Sequence, residues 1–195
     1  MDKRFREINN LYVQVISGSI NGHDYVDLGL SVKWATCNVG ASKPEDYGGY
    51  YAWGETVTKS CYDVENCATC VKDINDIAGT FRDMAHVKWG DKWRMPTSYN
   101  FKELLKGCEW IWTIRNGVSG CKVRSLKNGN SIFLPAAGFP APISLADTGI
   151  WGYYWSSEPF VGSAYSAYIL RICSGSHDIC GGIRYYGYTI RPVSE

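Results

Sequence analysis

Period-two alternation, more than helical spacing, organises this chain. Leu11 to Ile16 alternates weakly and predicts an edge strand, followed by the turn residues Ser17, Gly18, Asn21 and Gly22. Tyr25 to Leu28 and Val32 to Cys37 read as two further strands, closed by Gly40. From Ala41 to Gly49 the chain turns polar, with Pro44 and the Gly48, Gly49 pair, before "YYAWGE" returns to aromatic strand chemistry. Residues 56–80 have no clear period and predict an irregular surface insertion.

Two short helices are expected. One begins at Thr97 or Ser98, either of which can cap it, and carries Phe101, Leu104, Leu105 and Cys108 at helical spacing before Gly107. The other runs around Asp83 to Val87. Beyond Glu109 the pattern is strands: "EWIWTIRNGVSG" turns at Asn116, Gly117, and "CKVRSLKNGNSIFLPAAG" at Asn128, Gly129. The last third predicts three more strands. In "YSAYILRI", Ser166, Tyr168, Leu170 and Ile172 share the face expected to be core, and Tyr165, Ala167, Ile169 and Arg171 share the other. Helices early and hairpins late argue an α+β class with an antiparallel sheet. Residues 1–21 are expected to form an N-terminal arm or edge strand and residues 22–195 a single domain.

Composition narrows the partners. The 195 residues carry 20 Lys plus Arg against 19 Asp plus Glu, so a net charge of +1 provides no field to gather nucleic acid or an anionic membrane. No apolar run approaches the roughly 18 residues that membrane insertion needs, and the mixed-charge start predicts no secretory leader. The 14 Tyr, 8 Trp and 21 Gly suit short strands and many turns. Eight Cys are too few for a disulfide scaffold, although Cys61, Cys67 and Cys70 could meet zinc with His86 or Cys108, and Cys173, His177 and Cys180 could meet a soft metal. Chance spacing accounts for both groups, and no metal or cofactor is expected.

The segments "HDYVDLGLSVKWATCNVGA", "YGGYYAWGE", "KWGDKWRMPT", "NSIFLPAAGF", "GYYWSS" and "RYYGYTIRPV", in that order, resemble the Bacteroides-type Fibrobacter major paralogous domain. That family resembles the C-type lectin-like fold, in the branch with formylglycine-generating enzymes and the variable proteins of diversity-generating retroelements. The resemblance covers residue 22 onward and implies antiparallel sheet, two helices and long irregular loops. It also implies a phage or gut-bacterial setting and a domain that recognises a protein or glycan receptor on another cell or particle, with homo-oligomeric display an option.

In such variable proteins, codons of the form AAC or AAT are rewritten to any codon ending in a pyrimidine, which excludes Lys, Gln, Glu, Met and Trp. Pro159 to Ser194 contains none of the five. Within it, Trp155 and Tyr154 just upstream, then Leu170, Gly187, Ile190, Arg191 and Pro192, read as framework. The resemblance then assigns ligand contact to Phe160, Gly162, Ser163, Tyr165, Ser166, Ile169, Arg171, His177, Asp178, Ile179, Cys180 and Ile183. Apolar members supply contact area; Arg171, His177 and Asp178 supply polar selectivity.

Other readings compete. Formylglycine-generating relatives use paired cysteines, for which Cys173 and Cys180 are the candidates here, but no nucleophile motif joins a histidine to a reactive residue and no catalytic residue is expected. Calcium lectins place oxygen ligands through a Glu-Pro-Asn loop and a Trp-Asn-Asp strand. Here Glu158, Pro159 are followed by Phe160, and Trp155 by Ser156, Ser157, so the calcium ligands are missing. A static fibre-tip or pilus-tip adhesin domain is the structural alternative.

Overall fold

The computed structural model describes residues 15–70, 73–140 and 144–195, so most of the strand expected over Leu11 to Ile16 lies outside the described residues. Three short strands come first: β1 Gly18–Ile20, β2 His23–Val26 and β3 Lys33–Ala35. Two helices follow, α1 Met84–Trp89 and α2 Ser98–Gly107. The remaining strands are β4 Cys108–Arg115, β5 Val118–Ser125, β6 Ser131–Pro135, β7 Phe139–Pro140 and β8 Leu145–Ala146. The tail adds β9 Gly152–Pro159, β10 Ser166–Ile172, β11 His177–Ile183 and β12 Val193–Ser194.

Both helices start where a side chain can satisfy orphan N–H groups. Thr97 accepts from Asn100 N while Asn100 Oδ1 accepts from Thr97 N, a reciprocal box. Asp83 accepts from Ala85 N and His86 N at α1, and from Gly79 N and Met95 N as well, so one carboxylate ties the helix to the segments on either side. The β4–β5 hairpin turns on Asn116 (φ 47°) and Gly117 (φ 83°), the doubly positive pair that a two-residue turn demands.

The α+β expectation is overturned. Strands take 36% and helices 9%, so the protein is mainly β. In place of one antiparallel sheet, the described residues form four small ones, ordered β1-β2-β3-β12, β11-β10-β9, β4-β5-β6 and β7-β8. The two helices stand where capping and spacing put them, yet they are short, and the aromatic and glycine-rich remainder prefers turns and brief strands to further helix.

The tail sheet divides the interior. Val26, Leu28, Trp34, Phe101, Leu104, Val123, Leu134, Tyr154, Leu170 and Ile172 belong to one core cluster. Trp53, Met84, Trp93, Met95, Trp155, Ala167, Ile169, Tyr188 and Ile190 belong to a second. β10 therefore sends Leu170 and Ile172 into the first and Ala167 and Ile169 into the second. The expectation of a single core face on this strand is corrected, because a central strand with cover on both sides buries both. The stretch expected as a surface insertion is irregular, but Thr69, Cys70 and Ile77 are buried anchors within it. Cys67 and Cys70 are joined as a disulfide, which removes both from zinc ligation.

Candidate recognition surface

Two buried arginines hold the tail. Arg191 is 0% exposed and donates to Asn38 Oδ1 (2.8 Å), Ala35 O (3.1 Å), Thr36 O (2.6 Å) and Phe133 O (2.9 Å). Arg184 lies over the Trp53 ring (4.4 Å) and donates to Thr69 O and to Ser166 O, at the start of β10. Trp155 Nε1 donates to Tyr51 O and Trp53 Nε1 to Ser156 O, which fixes β9 against the aromatic segment around residue 51. Glu158 accepts from Ser98 N at the start of α2, so this carboxylate serves the frame.

On that frame the β9–β10 loop closes on itself. Phe160 N donates to Ser166 O, Ser163 N to Phe160 O and Ser166 N to Ser163 O, with Gly162 at φ 99° making the turn. A loop whose backbone bonds are internal presents its side chains without a large ordering cost on binding. Val161 is 80% exposed and Tyr165 54%; Ile183 sits opposite Ser166 across the β10–β11 pair. Phe160 and Tyr168 meet edge to face at 4.9 Å, and a Cβ at Gly181 would press on the Phe160 ring at 3.1 Å. Phe160, Gly162, Ser163, Tyr165, Ser166 and Ile183 thus gather at one end of the sheet, an apolar patch with serine hydroxyls among it.

The other expected contacts are dispersed by the same alternation. Ile169 is 2% exposed and belongs to the second core, so it leaves the contact set. Ile179 pairs with Leu170 and leans on the first core, half-buried. His177 is exposed and stacks on Trp110 at 4.7 Å with the ring planes 9° apart. Arg171 and Asp178 form a two-pronged ion pair, Nε to Oδ1 at 3.0 Å and Nη2 to Oδ2 at 2.8 Å. Arg171 lies over Trp151, beside Tyr153, whose hydroxyl donates to Asp147. This group is five β10 positions from Ser166, about 17 Å at the usual strand rise.

Burial pushes the Cys180 thiol up, with Arg171 opposing and Asp178 adding to the rise. Cys180 sits opposite Ile169, four positions along β10 from where that strand leads into Cys173, about 13 Å away. The two thiols are therefore not brought together. Tyr168 and Val161 complete the loop-end patch. Tyr168 was hidden by its place on the expected core face; the signal that reveals it is its position near the strand end, where the first core no longer covers the sheet.

Among the described residues no group of three or more His, Cys, Asp or Glu is placed to hold a metal ion, and no helix is long and apolar enough to cross a membrane. Comparison with family models, characterised proteins and solved structures finds no match to this chain.

Proposed function

We propose that this chain is a recognition domain that binds a protein or glycan receptor through the loop-end patch of its C-terminal sheet. The observation that carries the reading is the patch itself: Phe160, Val161, Tyr165, Tyr168 and Ile183 project from a loop and sheet end whose backbone is anchored by Arg184 and by the loop's own hydrogen bonds. Apolar side chains on an ordered support supply contact area, and the neighbouring serines supply adaptable polar contact. Variation by a diversity-generating retroelement belongs to the same proposal. It is supported by the absence of Lys, Gln, Glu, Met and Trp from Pro159 to Ser194.

Two measurements test it. The DNA flanking the gene should hold a near copy of the tail-coding segment that differs only where the copy has adenine; a copy with mismatches at all four bases, or none, removes the diversification part. The triple variant Val161→Ser, Tyr165→Ser, Ile183→Ser should bind none of the cells or glycans that the unaltered domain binds, with stability within about 0.5 kcal/mol for each exposed site. Unchanged binding by that variant refutes the patch as the contact surface.

A further inference from the structure

The disulfide of the irregular stretch stands at the far end of the tail's support. From Thr56 to Ala68 no residue is buried, and Thr69 (0% exposed) and Cys70 (3%) are the anchors that end this run. The Cys67–Cys70 bond closes a turn around Ala68 and Thr69. Those two enclosed residues tie the turn to the frame. Ala68 N donates to Glu55 Oε1 (2.7 Å), Thr69 Oγ1 donates to Trp53 O (2.6 Å), and Thr69 O accepts from Arg184 Nη1 (3.1 Å).

Arg184 carries that support to the β9–β10 loop. Its Nε donates to Ser166 O at 3.2 Å, and the same oxygen accepts from Phe160 N at 3.0 Å, the bond that closes the loop. A carbonyl oxygen has two lone pairs, so guanidinium and loop amide share it without competing. Arg184 N also donates to Tyr165 O, and Trp53 N to Arg184 O. Contacts therefore run without a gap from a covalent bond in one segment to a loop in another, through Thr69, Arg184 and Ser166. The two sulfurs at the start of this path are unequally placed. Cys67 is half-buried between exposed Asn66 and Ala68, whereas Cys70 is sealed.

We propose that the Cys67–Cys70 disulfide is a reducible clasp: a small thiol opens it by attack at Cys67, and opening loosens the β9–β10 loop through Thr69 and Arg184. The reagent thiolate R–S⁻ attacks Cys67 Sγ, forming a Cys67–S–S–R bond as the Cys67–Cys70 bond breaks. Cys70 Sγ leaves with the electron pair and takes up one proton as a thiol. A second R–S⁻ then attacks the R sulfur of the mixed disulfide, giving R–S–S–R and the Cys67 thiol. Two reagent thiols are oxidised as one protein disulfide is reduced. Access selects Cys67, because the incoming sulfur must reach its target. Once the bond is open, the turn gains conformations in which Ala68 N and Thr69 O no longer face Glu55 and Arg184. The effect on receptor binding rests on the reading of the loop-end patch as the contact surface; the effect on loop order does not.

The test uses the full chain with 2-mercaptoethanol and amide hydrogen exchange read residue by residue by NMR. After reduction the Phe160 and Arg184 amides should exchange at least about threefold faster, while Val123, buried in β5, keeps its rate. The double variant Cys67→Ala, Cys70→Ala should show the fast rates without reagent, and Cys61→Ser the slow ones. Brief exposure to the thiol, acid quenching and peptide mass spectrometry should find the mixed disulfide on Cys67. Unchanged exchange at Phe160 and Arg184 after reduction, equal acceleration at Val123, or an adduct first on Cys70 overturns the proposal. If the double variant does not fold, the reduced unaltered chain decides. A loop that loosens on reduction in a domain whose binding survives the Val161, Tyr165, Ile183 triple variant refutes the patch and supports the clasp.

Discussion

Replacing Arg191 by Met keeps the length and apolar stem of the side chain and removes its guanidinium. Four acceptors then face a site that donates nothing: Asn38 Oδ1, Ala35 O, Thr36 O and Phe133 O. A buried acceptor stripped of its donor costs about 1–3 kcal/mol, so even the low end for four gives about 4 kcal/mol. Some of this is offset because Met loses no charge to desolvation, and a water can enter where two carbonyls converge. The expected loss is therefore about 3–5 kcal/mol, a large share of the 5–15 kcal/mol that a domain holds. Urea unfolding followed by tryptophan fluorescence measures it, since Trp34, Trp53 and Trp155 are fully buried on both sides of the tail sheet. Arg191→Lys should lose nearly as much, because one ammonium cannot reach all four acceptors, spread over residues 35–38 and Phe133. A midpoint shift worth under 1 kcal/mol for Arg191→Met would refute the view that this residue ties the tail to the frame.

Further outcomes follow from the same structure. Gly138 has φ 61° and a Cβ there would lie 2.0 Å from Ala146 O, so Gly138→Ala should cost at least about 3 kcal/mol in the same unfolding assay. Asp83→Ala strips the α1 cap and leaves Gly79 N and Met95 N without their acceptor; a loss of about 3 kcal/mol is expected, and Asp83→Asn should retain part of it. Burial lowers the His23 pKa below its ordinary 6.5, with Asp24 opposing, so the unfolded chain binds the proton more readily. Stability should fall as the pH drops from above 6.5 through the folded value, and an imidazole NMR titration of His23 with a midpoint above 6.5 would contradict this.

Local chemistry made much of the fold legible. Thr97 with Asn100, Asp83, and the Asn116, Gly117 turn declare themselves because each satisfies a backbone need within a few residues of itself. The division into four sheets and two cores was not legible. Alternation reports which side chains share a face, but a strand such as β10, with Ala167 and Ile169 on one face and Leu170 and Ile172 on the other, reads alike whether one face is wet or both are dry. For that reason the expected contact residues were grouped by position along the tail, and the register has separated them: Ser166 and Ile183 at one end, Arg171 with Asp178 on the opposite face, His177 against Trp110. The Arg191 hydrogen bonds were equally out of reach, since their acceptors lie 58 to 156 residues away in the chain.

Because β10 is clad on both sides, inherited change cannot run continuously through the tail. Across many natural copies of this gene, the codons for Ala167, Ile169, Leu170 and Ile172 should form a quiet block, with substitutions crowding into 160–166 and resuming in the exposed stretch from Ser174 to His177. The history of the gene would then be written in two separated bursts, and the silence between them would mark the strand that serves both interiors.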